Sequence, residues 1–345
     1  METIRDIGEK RLISEVIRPF FNPENDACGV GDDCAVLTVP VGHVMLVSTD
    51  RVPSDLIALR LGLLDYRGFG RYLATLNVSD IAASGGTPIA LLLNFGLPAD
   101  FRVADLIELC TGARDLASEC GARIVGGDLS SSSELSCSAT AIGSVRQDQV
   151  LLRRGARVGD TLFVSRSVGL TPAAFAHYLI LPPLPLETGE VALLNEQFSS
   201  LTPLIKLGVD LAQSECCTSC MDNTDGIGQT LSELSQASGL GCVIDAAALP
   251  ISMLVRKCAA LRAVDVFDLA LSAGADFSLV GTLKGSWTQA EAEKRFGGRV
   301  WIIGRTAREA GVWLESDGGR REIRFGGWDY FRNQRPFLLG DAVAP

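Results

Sequence analysis

Residues 29–50 read GVGDDCAVLTVPVGHVMLVSTD, a glycine turn followed by two short apolar runs. Apolar runs of this length between Gly, Pro and Asp predict β-strands, here over 35–39 and 44–48. If these strands pair as a hairpin, the Gly-Asp-Asp turn and Asp50 lie at the same end of a sheet. Two carboxylates about 5 Å apart repel by about 3 kcal/mol at an effective dielectric of about 20, and a bound cation would relieve this repulsion. The alternative is an exposed loop whose aspartates only favour turns.

The composition of the chain limits the classes of protein to which it can belong. Its 345 residues, 47% hydrophobic and 21% charged, predict a globular protein large enough for two domains. The formal net charge of −10 argues against a nucleic-acid binder, which needs a basic surface. No apolar run approaches the roughly 20 residues of a membrane span, and the charged N-terminus lacks the apolar core of a signal peptide. We therefore expect the ten cysteines to be reduced thiols in a cytoplasmic protein.

Strand and helix signals alternate along the chain, which predicts an α/β protein with α+β layering. Residues 146–160 are polar, contain four arginines and two glycines, and separate two such halves. We predict an N-terminal domain over 1–148 and a C-terminal α/β domain over 149–345. The principal predicted helices cover 61–84, 100–120, 170–179 and 227–238, and the principal predicted strands cover 89–97, 123–125, 135–145, 161–165, 241–245, 277–283 and 300–304.

Aspartates recur at the ends of these elements, beside glycines and hydroxyl residues. With only two histidines in the chain, the chemistry is expected to rest on carboxylates, hydroxyls, backbone amides and cations. Hard oxygen ligands of this kind suit Mg²⁺, which points to nucleotide chemistry. Each aspartate also has a simpler explanation as a cap or a turn residue. The set comprises Asp32, Asp33, Asp50, Asp80, Asp128, Asp222 and Asp225.

The common nucleotide-binding signatures are missing from the sequence. It contains no GxxxxGK[ST] P-loop, no Rossmann glycine fingerprint and no HRD or DFG pair of a protein kinase. The motifs GDD, STD, NVSD, GGTP, GGD, LLRRGARVGD and DNTDG, in this order, instead resemble thiamine-monophosphate kinase. That family belongs to a wider group with aminoimidazole-ribonucleotide synthetase, selenophosphate synthetase and the hydrogenase-maturation carbamoyl dehydratase.

The resemblance implies a fold, a dimer and a set of residue roles. The implied fold has two domains and is like that of aminoimidazole-ribonucleotide synthetase, with N-terminal sheets pairing across a homodimer. The implied ligands are ATP, Mg²⁺ and a small-molecule substrate. Asp50, Asp80 and Asp128 would be catalytic, and the nucleotide would contact Ser48, Thr49, Gly127, Arg153 and Thr224. The implied metal ligands are Asp33, Ser48, Thr49, Asp50, Asp80, Asp128, Asp222 and Asp225.

The residues that would face the substrate depart from the family pattern. The family carries a histidine shortly after the STD motif, and residues 51–59 contain none. The family's Gly-Gly-Glu-Asp-Tyr-Glu segment is here AGADFS, so that Ala275 and Ser278 flank Asp276 and its aromatic neighbour in place of two glutamates. Asp276 and Trp328 remain as candidate substrate contacts, Trp328 having the alternative role of a C-terminal core anchor.

Three functions are compatible with these residues. The leading prediction is an ATP- and Mg²⁺-dependent phosphotransferase acting on thiamine monophosphate or, given the altered substrate residues, on a different metabolite. The second is a synthetase or dehydratase that activates an amide or acyl oxygen by phosphorylation. The third is a nucleotide-binding paralogue without catalysis, against which the retained aspartates argue.

Overall fold

The computed structural model describes residues 2–21, 34–53 and 56–323 and divides into two compact units. The first unit comprises Met1–Val150 with Phe198–Ile205, and the second comprises Leu151–Gln197 with Lys206–Pro345. The domain limits at 148 and 149 stay a prediction.

The first unit is a four-stranded sheet with two long helices packed against it. The sheet order is β1-β4-β2-β3, in which β2 and β3 are parallel and the other pairs are antiparallel. The elements are α1 (Ile4–Ile7), α2 (Glu9–Arg11), a π-helical turn (Leu12–Ile17), α3 (Arg18–Phe21), β1 (His43–Arg51), α4 (Ile57–Arg60), α5 (Tyr66–Ala83), β2 (Thr87–Leu97), α6 (Val103–Glu119), β3 (Arg123–Ser131), β4 (Ser136–Arg146) and a 3-10 turn (Gln147–Gln149).

The hairpin expected within residues 29–50 is wrong. Residues 35–40 are not a strand, and β1 pairs along its whole length with β4, from His43 opposite Arg146 to Arg51 opposite Ser138. Among the described residues, β1 is therefore an edge strand. Its partner lies about 90 residues away because β4 continues the apolar face that α5 covers.

The two long helices begin later than predicted. Asp65 caps α5, because its side chain accepts a hydrogen bond from Gly68 N, and the helix therefore starts at Tyr66. Helix α6 begins at Val103 and not at residue 100 as predicted. Residues 101–102 are held in an extended conformation, since Ile4 N donates to Phe101 O at 2.9 Å and residue 102 forms a β-bridge with residue 3.

The second unit is a seven-stranded, mostly antiparallel sheet with order β11-β10-β7-β9-β5-β8-β6. Its elements are β5 (Thr161–Val164), α7 (Leu170–Tyr178), α8 (Thr188–Ser199), α9 (Ile205–Gln213), β6 (Cys217–Asp222), α10 (Ile227–Ser238), β7 (Gly241–Asp245), α11 (Met253–Arg262), α12 (Val266–Leu271), β8 (Leu279–Leu283), α13 (Gln289–Phe296), β9 (Trp301–Ala307), β10 (Gly311–Ser316) and β11 (Gly319–Glu322); α8 runs across the division between the two units. The predictions for α10 and β7 are confirmed at both ends.

The described residues bear on the expectations for the cysteines and for membrane-spanning helices. The cysteines in these ranges are free thiols. No helix in these ranges is both long enough and apolar enough to cross a membrane.

Candidate active site

The predicted residues Ser48 and Asp80 meet where β1 ends beneath α5. The Ser48 hydroxyl donates a hydrogen bond to Asp80 Oδ2 at 2.5 Å. Asp80 lies in the last turn of α5, where the negative end of the helix dipole disfavours a carboxylate. A carboxylate held at such a position is a candidate cation ligand, for which the hydroxyl supplies one partner.

Asp50 lies on the same face of β1 as Ser48, because side chains alternate along a strand. The peptide N–H of Asp50 donates to Asn77 Oδ1 at 2.9 Å. The Asn77 amide in turn donates to Leu73 O at 2.9 Å, within α5, and its side chain is fully buried. Asn77 therefore fixes the backbone of Asp50 to the helix that carries Asp80.

Sequence reasoning gave Asn77 no role. An asparagine in the interior of an apolar helix is unfavourable because its amide competes for backbone hydrogen bonds. An unfavourable residue at this position of a helix was the one feature of the sequence that could have indicated a specific role for Asn77.

Thr49 points to the opposite face of β1 from Ser48 and Asp50. Its hydroxyl donates to Ala139 O at 2.9 Å and accepts from the Thr140 hydroxyl at 3.1 Å. The described geometry therefore does not bring the Thr49 hydroxyl to the Ser48–Asp80 pair.

Asp128 is also separate from that pair within the first unit. Across the sheet, Asp50 is in register with Gly127 of β3, through Ala139 and Leu93. Asp128 is the next residue of β3, and its side chain therefore lies on the other face of the sheet. β1 and β3 are three strands apart, a distance of about 14 Å. Gly127 is required at its position, since a Cβ there would lie 1.8 Å from Leu93 O. The structure thus explains the Gly-Gly-Asp motif but leaves Asp128 away from Asp50.

Three other predicted residues lie beside α10 in the second unit. Arg153 Nη1 donates to Glu233 Oε2 at 2.7 Å, and the Thr224 hydroxyl donates to Asp225 Oδ2 at 3.2 Å. Burial raises the pKa of Asp225, and the Glu233 carboxylate raises it further, while Thr224 and Arg153 oppose both effects. Asp225 is therefore a partly desolvated carboxylate that a cation would stabilise in its charged form.

Asp276 lies in the loop that precedes β8 and is buried, with 7% of its surface exposed. Its Oδ1 accepts hydrogen bonds from Asn223 Nδ2, Ser278 N and the Ser278 hydroxyl, at 2.9, 2.9 and 2.6 Å. Burial lowers the pKa of Arg166, and the Asp276 carboxylate opposes that shift. Ser278 thus serves as an internal partner of Asp276. Asp222 is buried at the end of β6.

The remaining predicted contacts fall beyond what the structure describes. Asp32, Asp33 and Trp328 lie outside the described residues. Among the residues that are described, no three Asp, Glu, His or Cys side chains lie close enough together to hold a metal ion.

Comparison with known proteins identifies the family. The thiamine-monophosphate kinase of Halobacterium salinarum is 33% identical over 294 residues, which cover 85% of this chain and 91% of that protein. The chain belongs to the thiamine-monophosphate kinase family. This confirms the family prediction and the predicted enzyme class, an ATP-dependent kinase.

Two solved structures and one family model extend this assignment. The family model for the N-terminal domain of AIR synthase related proteins matches residues 31–145. The structure of AaThiL complexed with AMPPCP and TMP is 25% identical, with a TM-score of 0.72, and the match covers 96% of this chain and 99% of that chain. The hydrogenase maturation protein HypE of E. coli is 21% identical, with a TM-score of 0.74 and coverage of 95% and 99%, and so shares the fold alone. The predicted fold, like that of aminoimidazole-ribonucleotide synthetase, is confirmed for this kinase.

Proposed function

We propose that this kinase transfers the terminal phosphoryl group of ATP to thiamine monophosphate in a Mg²⁺-dependent reaction. The observation that carries the proposal is the Ser48–Asp80 pair, which α5 holds beside Asp50 at the end of β1. The family relationship supports ATP as donor, and the AaThiL complex with AMPPCP and TMP supports the acceptor.

The donor groups of the proposed site fit Mg²⁺. They are hard oxygen atoms of carboxylates and hydroxyls, in a chain with two histidines. Bound Mg²⁺ would neutralise phosphate charge and orient the transferred group. In the first unit we propose Asp33, Ser48, Asp50 and Asp80 as ligands. Thr49 and Asp128, which lie on the other face of the sheet, are proposed as ligands of a separate ion. In the second unit we propose Asp222 and Asp225.

The other residues of the chain would act by positioning and by charge. Phosphoryl transfer needs alignment and electrostatic stabilisation more than covalent catalysis. The Arg153–Glu233 ion pair is exposed, and such pairs contribute about 1 kcal/mol or less, so Arg153 is free to exchange Glu233 for a phosphate group. Thr224, near the amide groups at the N-terminus of α10, and Gly127, in β3, are proposed nucleotide contacts.

The acceptor is the first point to test. The purified kinase is incubated with ATP and Mg²⁺ and a panel of thiamine monophosphate, other small phosphates, amides and acids, and ADP and products are quantified together. We expect one phosphorylated product per ADP with thiamine monophosphate, and no turnover after chelation of Mg²⁺. Faster phosphorylation of another metabolite would instead give Ala275 and Ser278 a role in changing specificity. Free phosphate with a rearranged substrate would indicate the synthetase or dehydratase reaction.

We further propose that the kinase is a homodimer that pairs its first-unit sheets. The face of β1 away from α5 exposes Met45 at 48% and Val47 at 62%, and β1 is an edge strand among the described elements. An edge strand whose side chains are exposed and apolar promotes pairing with another strand. The cytoplasmic location stays a prediction.

Light scattering after size exclusion tests the dimer. We expect the mass of two chains for the parent protein and of one chain for Val47→Asp, because a buried unpaired carboxylate opposes association. Val158→Asp places the same charge at a residue of the second unit that is 51% exposed, and should leave the mass unchanged. A parent protein with the mass of one chain at micromolar concentration would contradict the proposal.

A further inference from the structure

Asn223 connects two loops that carry proposed functional residues of the second unit. It stands between Asp222 and Asp225, and its side chain is fully buried. Asn223 Nδ2 donates to Asp276 Oδ1 at 2.9 Å. The amide thus spans from the metal-ligand loop, residues 222–226, to the acceptor loop, residues 273–278.

The side-chain oxygen and the backbone groups of Asn223 are also engaged. Its Oδ1 accepts hydrogen bonds from Gly226 N at 3.0 Å and from the Thr230 hydroxyl at 3.1 Å. Its backbone N–H donates to Ser278 O at 2.8 Å, and its carbonyl accepts from Phe277 N at 3.1 Å. Asn223 therefore closes the metal-ligand loop onto α10 and at the same time joins it to the acceptor loop.

The two loops also touch directly through their backbones. A Cβ at Gly274 would lie 2.2 Å from Gly226 N, so that any side chain at position 274 would force the loops apart. Ala275 and Phe277 both have positive φ values, 75° and 51°. Non-glycine residues keep such conformations only where their surroundings impose them, and they concentrate at functional sites. The hydrogen bonds of Asn223 supply part of that restraint.

We propose that Asn223 is a positioning residue that couples the two loops, so that Mg²⁺ at Asp222 and Asp225 and the acceptor at Asp276 bind with linked affinities. This inference rests on the proposed function, which assigns those ligands. The physical basis is that a displacement of either loop must break hydrogen bonds of one buried amide whose nitrogen and oxygen both have partners, and buried groups left without partners are costly.

Asn223→Asp tests the bridge with little change in shape. The new carboxylate still accepts from Gly226 N and Thr230, but it places an oxygen against Asp276 where an N–H had donated. We expect the Mg²⁺ concentration for half-maximal rate and the KM for thiamine monophosphate both to rise, each by about tenfold or more. Asp276→Asn alone keeps an acceptor for Asn223 Nδ2, and so should leave the Mg²⁺ dependence within about twofold while raising the acceptor KM.

The double variant Asn223→Asp with Asp276→Asn provides a second measurement. The amide introduced at position 276 can donate to the carboxylate introduced at position 223, which restores that donor–acceptor pair, but its nitrogen then faces Ser278 N, which loses its acceptor. We expect the Mg²⁺ half-saturation to return to within about threefold of the parent protein, while the acceptor KM stays high. An unchanged or lower Mg²⁺ requirement in Asn223→Asp would overturn the coupling.

Two further variants separate the possible failures. Thr230→Val removes one hydrogen bond to Asn223 Oδ1 but not the bridge to Asp276, and should lower the melting temperature without changing the Mg²⁺ requirement. Asp225→Asn should raise that requirement if Asp225 is a ligand. If Asp225→Asn has no such effect, the proposed metal assignment fails. If Asp225→Asn raises the Mg²⁺ requirement and Asn223→Asp does not, the metal assignment holds and only the coupling fails.

Discussion

Asp50→Asn is expected to reduce Mg²⁺-dependent phosphoryl transfer by about 10³-fold or more while leaving the fold intact. The substitution removes one negative charge from the group at the end of β1 that includes Asp80. The peptide N–H of residue 50 keeps its hydrogen bond to Asn77 Oδ1, because the backbone makes that contact. The loss should therefore reflect the missing carboxylate charge and not a displaced strand.

Two measurements separate these explanations of a loss of activity. Rates over a range of Mg²⁺ concentrations report on the ligand, and thermal unfolding without Mg²⁺ reports on the fold. We expect an unchanged or higher melting temperature, since removing a carboxylate relieves repulsion within an unoccupied acidic group. Asp148→Asn makes the same chemical change at an exposed Asp paired with Arg146, and should leave activity unchanged. Parent-like activity in Asp50→Asn would exclude the proposed metal site.

Local sequence patterns predicted some elements better than others. Helix α10 and strand β7 were predicted to the residue, because each is a regular apolar pattern and Gly239, in a left-handed conformation, ends the helix between them. The hairpin failed because two adjacent apolar runs do not reveal whether they pair with each other. The pairing of β1 with β4 depends on the apolar face that α5 covers, and that information is distributed over about 100 residues.

For the candidate site, too, local motifs were informative and long-range packing was not visible in the sequence. The motif order was sufficient to select Ser48, Asp50 and Asp80, which the fold brings together. It was not sufficient to place Asp128, since the face on which a strand residue lies depends on register and on the bulge between Leu91 and Leu92 in the pairing of β2 with β3. Asn77 and Asn223 were given no role because their function is to hold other residues, and such partners become visible only in three dimensions.

Gly70→Ala and Gly112→Ala are each expected to lower the free energy of unfolding by about 3 kcal/mol. Gly70 of α5 faces the backbone of α6, where a Cβ would lie 1.9 Å from Leu109 O, and Gly112 of α6 faces α5, where a Cβ would lie 1.9 Å from Arg67 O. The contacts are reciprocal and involve backbone atoms, which cannot rotate away. The two helices would have to separate, and α5 would carry Asn77 and Asp80 with it.

Gly68→Ala provides the matched control on the same helix. The closest atom to its added Cβ is the end of the flexible Leu64 side chain at 2.9 Å. We expect a change within about 1 kcal/mol, since the higher helix propensity of alanine offsets this contact. Denaturant unfolding of the three variants gives the comparison, and Mg²⁺-dependent activity of the folded fraction adds a second readout. If Gly70→Ala were as stable as Gly68→Ala, the close crossing of α5 and α6 would be wrong, and with it the packing that places Asp80 beside Ser48.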